Sequence, residues 1–294
     1  MSWRAFPVRS IILVVSACLV CLDRPASALT VTDDFGSELR FDRPAQSVIS
    51  LSPHLTELMY SIGAGDRLTG AARGSDYPAV AARLPEIGDS SGLDFERILF
   101  AHPDLVLAWG SGNRTVDIAR LRSLGLRVLV LEARRLEDIP RHLRLLGDVT
   151  GLEEHAQAVA REFEGRVDAL GRRYATRAGM RVLFEIWHRP LFTVNGDHIL
   201  SKVLGLCAAQ NIFAGLPRLA GEVSLEQVLL LDPDAIVVGS EADDAAANWL
   251  VFSSLRAVRN RNVFAVSADQ IARPTPRLID AAERMCHELD KARP

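Results

Sequence analysis

The chain has 294 residues, 48% hydrophobic and 24% charged, with a formal net charge of −3. That length has room for two domains of ordinary size, each with its own core, and the composition is that of a soluble globular protein. A mildly acidic chain with no Lys/Arg stripe cannot neutralise a phosphate backbone, which excludes nucleic acid as a partner.

In chain order, the first element is a leader. Arg4 and Arg9 form a positive n-region, Ile11–Leu22 is a mostly apolar run, and Ala26-Ser27-Ala28 is a small-x-small cleavage site. Together they read as a secretory signal peptide over residues 1–28, its apolar run too short to span a bilayer. Val15-Ser16-Ala17-Cys18 has the form of a lipoprotein box, so a lipid anchor at Cys18 is the alternative. Leu19, Val20 and Leu22 continue the apolar run past that cysteine and favour cleavage after Ala28. Removing residues 1–28 takes away Arg4, Arg9, Arg24 and Asp23, a net +2, and brings the mature chain from −3 to −5. Of the four cysteines, Cys207 and Cys286 remain. In an oxidising compartment two cysteines most simply pair.

Thr30–Phe41 suits a short hairpin. The apolar run Val48–Leu51 ends at Ser52-Pro53, an N-cap serine with proline at the first helical position. Leu55, Leu58, Met59 and Ile62 give that helix its buried face, and Gly63 and Gly65 end it. Residues 68–72, 104–109 and 127–131 read as strands with helical patterns between them, the signature of a parallel sheet covered on both faces. Thr150-Gly151-Leu152-Glu153 has the capping-box pattern. Behind it, apolar residues at 152, 156, 159, 160, 163, 167, 170 and 174 keep a 3.6-residue period. They predict one helix of about 22–25 residues, about 33–37 Å long. Further on, 181–186, 235–238 and 263–266 read as strands and 277–289 as the last helix. The expected architecture is α/β: two Rossmann-like lobes with mainly parallel sheets, 29–150 and 176–294, joined by a single backbone helix at 151–175 that limits their relative motion.

Two stretches 130 positions apart support the pair of lobes. Phe95–Trp109 aligns without a gap on Leu225–Gly239: a short helix carrying one Glu (Glu96, Glu226), a Pro-Asp turn, then an apolar β-run. One supersecondary unit used twice, far apart, makes two similar lobes, and two lobes make a cleft.

No catalytic constellation is visible. There is no phosphate-binding P-loop, no HExxH and no paired CxxC, and Gly63-Ala64-Gly65 lacks a third glycine. His188 and His198 flank Asp197 at no metal-ligand spacing, and His54 reads as a surface residue. The distinctive residues sit where strands end. Trp109 precedes the loop Gly110-Ser111-Gly112-Asn113, Trp187 and Phe192 bracket Arg189-Pro190, and Asp269 and Arg273 follow the strand 263–266. Carboxyl ends of parallel strands face the ligand crevice, so these residues suit a large, planar, partly polar ligand.

These residues resemble a family, the cobalamin-binding periplasmic proteins of ABC importers, within the helical-backbone metal receptors. The matching pieces include Val48–Pro53 with Thr56-Glu57-Leu58, Ser75–Pro78, Phe95–Ile98, Pro103–Trp109 with Gly112-Asn113, and Pro190–Thr193. Leu206-Cys207, Gln210–Phe213, Val223–Leu229 and Arg273–Arg277 complete them. The resemblance implies a binding protein, not an enzyme, that works as a monomer without cofactor or structural metal. It places Trp109 and Asn113 with Trp187 and Phe192 at the corrinoid, Asp269 and Arg273 at the cleft edge, and leaves the cobalt without a protein ligand. It also implies a Cys207–Cys286 disulfide and docking of Glu96 and Glu226 onto arginines of an inner-membrane permease dimer. Where such proteins carry further aromatics this chain has Gly74, Ser90 and Ala220, with Trp187 restoring some of that surface. Haem, through Tyr77 or His188, and an anionic ferric siderophore, through Arg73, Arg189, Arg273 and Arg277, are the alternatives. An exported α/β enzyme is the alternative of another class.

Overall fold

The computed structural model describes Met1, residues 28–242 and residues 245–293. Most of the expected leader, with Arg4, Arg9 and Cys18, lies outside the described residues. Strand β1 (Leu29–Thr32) begins one residue after Ala28 and pairs antiparallel with β2 (Glu38–Phe41), the expected hairpin.

The first sheet contains β3 (Val48–Ser50) and β4 (Leu68–Ala71), and its remaining strands follow a small hairpin of β5 (Gly88–Asp89) and β6 (Gly92–Leu93). These are β7 (Leu105–Trp109) and β8 (Val128–Leu131). The second sheet contains β9 (Met180–Glu185), then, after β10 (Phe192–Val194), β11 (Ala209–Asn211). After β12 (Ala220–Glu222) it is completed by β13 (Ala235–Gly239) and β14 (Val263–Val266). The strand orders are β4-β3-β7-β8 and β11-β9-β13-β14, all parallel. Each lobe has its first strand second in the row, followed on one side by its third and fourth. The duplicated stretches are the third strands of both sheets and the helices that precede them.

The match extends to atoms. His102 and Asp232, at the same place in the two copies, both have left-handed backbone, with φ of 45° and 42°. In each copy the next Asp ties the new strand to the start of its neighbour: the Asp104 amide donates to the Ser47 carbonyl and the Asp234 amide to the Arg181 carbonyl, both at 2.8 Å. Their carboxylates accept in return from the Ser47 and Arg181 amides. The repeat is structural as well as sequential.

Among the described residues, ten α-helices accompany the sheets: α1 (Pro53–Ser61), α2 (Phe95–Phe100), α3 (Thr115–Ser123), α4 (Asp138–Thr150), α5 (Glu153–Tyr174), α6 (Ile199–Leu206), α7 (Leu225–Leu231), α8 (Arg256–Arg259), α9 (Ala268–Ile271) and α10 (Leu278–Lys291). Side chains alternate faces along a strand, so each sheet serves two cores. Val48, Leu105, Leu107, Leu129 and Leu131 face α1 and α4, while Ile49, Val106, Ala108, Val128 and Val130 face α2 and α3. In the second lobe Val182, Phe184, Ala235 and Val237 join the first of these cores, and Leu183, Ile236 and Val238 form a third with α7 and α8. One core therefore runs through both lobes. Helix α5 carries it across, packing on α4 on one side and on α6 and α10 on the other, through Ala156, Ala160, Phe163 and Tyr174. At 22 residues it spans about 33 Å.

Two caps differ from expectation. Thr150 is the last residue of α4; its hydroxyl donates back to the Leu146 carbonyl, so it cannot cap α5. Gly151, at φ 66°, ends α4 in left-handed backbone, and α5 starts without a side-chain cap. Ser52 occupies the N-cap of α1 as expected, but its hydroxyl serves His54 instead of the helix. The Cys207–Cys286 disulfide is formed and joins α6 to α10. No helix among the described residues is long and apolar enough to cross a membrane.

Candidate ligand-binding cleft

The carboxyl ends of the parallel strands carry the candidate residues, as open α/β sheets require. In the first lobe Trp109, half-buried at the end of β7, is fixed on several sides. His54 meets its ring edge-on at 5.2 Å between centroids. Gly112 lies so close that a Cβ there would come within 1.8 Å of the indole, so only glycine allows this loop to fold against the ring. Asn113, expected to face a ligand, is buried instead. Its Oδ1 accepts from the Trp109 amide at 2.7 Å and its Nδ2 donates to the Leu51 carbonyl at 3.0 Å. With both ends of its amide bonded to backbone, Asn113 positions Trp109.

His54 was read as a surface residue; it is 6% exposed. Its Nδ1 lies 2.7 Å from the Ser52 hydroxyl, and burial pushes its pKa down to about 3, with the nearby Arg273 guanidinium adding to the effect. It is a neutral prop behind Trp109.

In the second lobe the chain turns back after β9, so that Trp187 and Phe192 form an antiparallel bridge. Bridged partners share a face, so both aromatics project from the same side of this turn, Trp187 largely exposed and Phe192 half-buried. The antiparallel pair β10–β12, whose strands are separated in sequence by α6 and β11, supports Phe192 opposite Glu222. A cavity of about 620 Å³ beside it is lined by Glu185, Trp187, His188, Val238, Ser240 and Glu241. At its floor the buried Glu185 carboxylate accepts from the Trp249 indole N–H and lies 3.1 Å from His188 Nδ1. Burial pushes the Glu185 pKa above the usual carboxylate range, offset in part by the Trp249 hydrogen bond and by His188.

Asp269 and Arg273 are brought together at the cleft edge, but their charges have protein partners. They belong to a cluster centred on Glu57 of α1, whose side chain is 1% exposed. Glu57 Oε1 accepts from Arg273 and Arg277, both at 2.6 Å, and Oε2 from Thr275 and again from Arg277. Asp269 bonds both arginines, Asp76 adds a third carboxylate to Arg273, and Arg277 stacks on the Tyr77 ring at 3.6 Å. Burial costs the guanidiniums solvation, the largest single effect, yet their pKa values rise because the hydrogen bonds and charges of Glu57, Asp269 and, for Arg273, Asp76 together outweigh that loss. The cluster clasps the first lobe to the segment after β14. Glu57 was not singled out from the sequence, and its partners lie more than 200 residues away; the one local signal is an acid among Leu55, Leu58 and Met59.

Glu96 and Glu226 are both exposed in the first turns of α2 and α7. Hydrogen bonds from its own amide and from Ser224 keep the Glu226 pKa below the usual range. Gly88-Asp89-Ser90-Ser91-Gly92 has the spacing of a nucleophile elbow, but it forms the turn of the β5–β6 hairpin instead of a strand-to-helix corner. Among the described residues no group of three His, Cys, Asp or Glu side chains could hold a metal. The arrangement offers aromatic surface and polar edges, suited to binding.

Two similar α/β lobes joined by one long helix, with aromatic side chains at the carboxyl ends of their parallel strands, have the architecture of a solute-binding protein. The chain belongs to the periplasmic binding protein family, which it matches over residues 48–269. It is 35% identical over 84% of its length to a vitamin B12-binding protein of Vibrio cholerae serotype O1, covering 90% of that protein. It is 36% identical over 85% of its length to one of Pectobacterium carotovorum, again covering 90%. The crystal structure of the periplasmic vitamin B12-binding protein BtuF of Vibrio cholerae superposes with a TM-score of 0.80 over 85% of this chain and 98% of that one, at 35% identity. The periplasmic haem-binding protein RhuT of Roseiflexus sp. shares the fold, with a TM-score of 0.74 at 20% identity over 84% and 99% of the two chains. The family and these relatives are binding proteins, not enzymes.

Proposed function

We propose that this protein captures cobalamin or a related corrinoid in its interlobe cleft and delivers it to an inner-membrane ABC importer. The observation that carries the reading is the 35% identity, spread over 84% of the chain, to a protein named for binding vitamin B12. The physical case rests on Trp109, held rigid in one lobe, and on Trp187 and Phe192, paired in the other. A corrin ring is broad and flat with an amide rim, and such walls bind it by area while polar loop groups meet its edge. Asn113, Asp269 and Arg273 act by holding the walls and the cleft edge in place, and the cobalt takes no protein ligand. The chain is exported through residues 1–28, with anchoring at Cys18 as the alternative. It works in the periplasm as a monomer, with Glu96 and Glu226 meeting the permease.

The alternatives fare unequally. Of the four arginines open to an anionic siderophore, Arg73 pairs with Glu86 and Asp89, and Arg273 and Arg277 pair within the Glu57 cluster. Of the four, Arg189 alone has no ion-pair partner among the described residues, which disfavours that class. For haem, Tyr77 lies under Arg277, whereas His188 meets Glu185 through Nδ1 and has no partner at Nε2 among the described residues, so that reading rests on His188.

Calorimetric titration of residues 29–294 with cyanocobalamin tests the proposal. Sub-micromolar one-to-one binding is expected. No heat with cyanocobalamin or cobinamide, together with a haemin Soret shift that His188→Ala abolishes, would replace the corrinoid by haem.

A further inference from the structure

The two copies of the helix–turn–strand unit have diverged, and what they keep at solvent positions is informative. Over Phe95–Phe100 and Leu225–Leu230 burial runs identically: half-buried, exposed, exposed, buried, exposed, exposed. The buried pair, Ile98 and Val228, anchors α2 and α7 to their sheets, so folding alone explains it. Folding does not explain the pairs beyond it. Phe100 is 85% exposed and Leu230 86%; Leu99 is 36% exposed and Leu229 38%. One large exposed apolar residue is ordinary on a protein surface, but the same two, at equivalent places in both lobes and one turn from an exposed glutamate, are not.

We infer that Leu99-Phe100 and Leu229-Leu230 are a matched pair of apolar anchors that seat in two equivalent hydrophobic pockets of a two-fold symmetric partner, each pocket beside a basic group that receives Glu96 or Glu226. The inference rests on the importer reading and deepens it. Acidic charge and apolar side chain recur together on each lobe, so the complementary surface must present a cation and an apolar recess twice. A homodimeric permease has that symmetry, whereas a single asymmetric partner would use one lobe's set and leave the other in water. Charge sets encounter and register; a desolvated phenyl or isobutyl group then slows dissociation.

The test compares Phe100→Ser, Leu230→Ser and their double variant with Val116→Ser, which alters a 67%-exposed apolar residue on α3. Binding to the importer reconstituted in nanodiscs is followed with and without cyanocobalamin, and ligand calorimetry and thermal midpoint control for folding. Affinity for the importer should fall about tenfold for each single variant and about a hundredfold for the double, chiefly through faster dissociation, as expected for losing one buried side chain per lobe. Val116→Ser should bind as wild type. Undiminished importer binding by the double variant would overturn the inference, as would loss confined to one lobe. It would also fall if wild type sedimented as a dimer that the double variant abolished while importer binding persisted. Failure of the corrinoid reading appears separately, in calorimetry of the wild-type protein.

Discussion

Glu57→Gln keeps the shape of a side chain that closes the cleft edge and removes its charge. In the wild-type protein the Glu57 carboxylate accepts four hydrogen bonds and neutralises Arg273 and Arg277, whose side chains are 16% and 14% exposed. Glutamine retains one acceptor and brings N–H groups toward two guanidiniums. Among the described residues, Asp269 and the mostly exposed Asp76 are then the carboxylates left for two partly buried cations. Removing one partner of a buried ion pair costs about 3–5 kcal/mol, and the surviving acids place this case near the lower figure. At about 2–4 °C per kcal/mol for a chain of this size, the thermal midpoint should fall by about 6–12 °C. Differential scanning calorimetry at neutral pH measures it. Glu57→Gln combined with Arg273→Gln should cost less than the two single changes summed, because the orphaned cation is gone. A midpoint within about 1 °C of wild type, or strict additivity of the two changes, would refute the account of the cluster as a clasp.

Glu96→Arg with Glu226→Arg should leave cyanocobalamin binding intact and abolish uptake in reconstituted transporter; normal uptake would remove the docking role. Between pH 6.5 and about 3 the unfolded His54 binds a proton that the folded one refuses, so stability should fall as pH drops through this window, by at most about 1.4 kcal/mol per unit from this residue. His54→Gln should flatten that slope in urea titrations, and an unchanged slope would count against a buried neutral imidazole. Replacing Cys207 and Cys286 by serine opens a link across 79 residues, worth about 4–5 kcal/mol in the chain-entropy estimate, and guanidinium titration should show the loss. Trp109→Ala should weaken cyanocobalamin binding at least tenfold with the fold intact, and unaltered affinity would take Trp109 out of the site.

The repeat was legible because helix, Pro-Asp turn and strand form a local pattern, and the same left-handed backbone at His102 and Asp232 recurs with it. Helix α5 was legible from its period, although the cap assigned to Thr150 belongs to the preceding helix; a four-residue pattern cannot tell which of two abutting helices owns it. The β10–β12 pair escaped notice because its three-residue strands, one containing Gly221, carry too little alternation to register and are separated by α6 and β11. His54 was misread because its burial comes from Trp109, 55 positions on, and nothing beside it in sequence announces that. The Glu57 cluster was invisible for the same reason on a larger scale: charges that meet only when two lobes close leave no mark on either local sequence.

The core that runs unbroken from β3 through α5 to α10 also bears on how such a protein changes its cargo. Neither lobe is a portable module, since a cut at α5 would bare Leu143 and Leu146 on one side and Val203 and Met285 on the other. Exchange of whole lobes between relatives with different ligands would have to rebuild that seam residue by residue. Substitution at the positions expected to face the ligand carries less demand: Ser90 is exposed and Ala220 is half-buried at the start of a short strand, although Gly74, with a backbone φ of 80°, resists a side chain. New specificities should therefore arise by repainting the wall on an unaltered frame, one loop residue at a time.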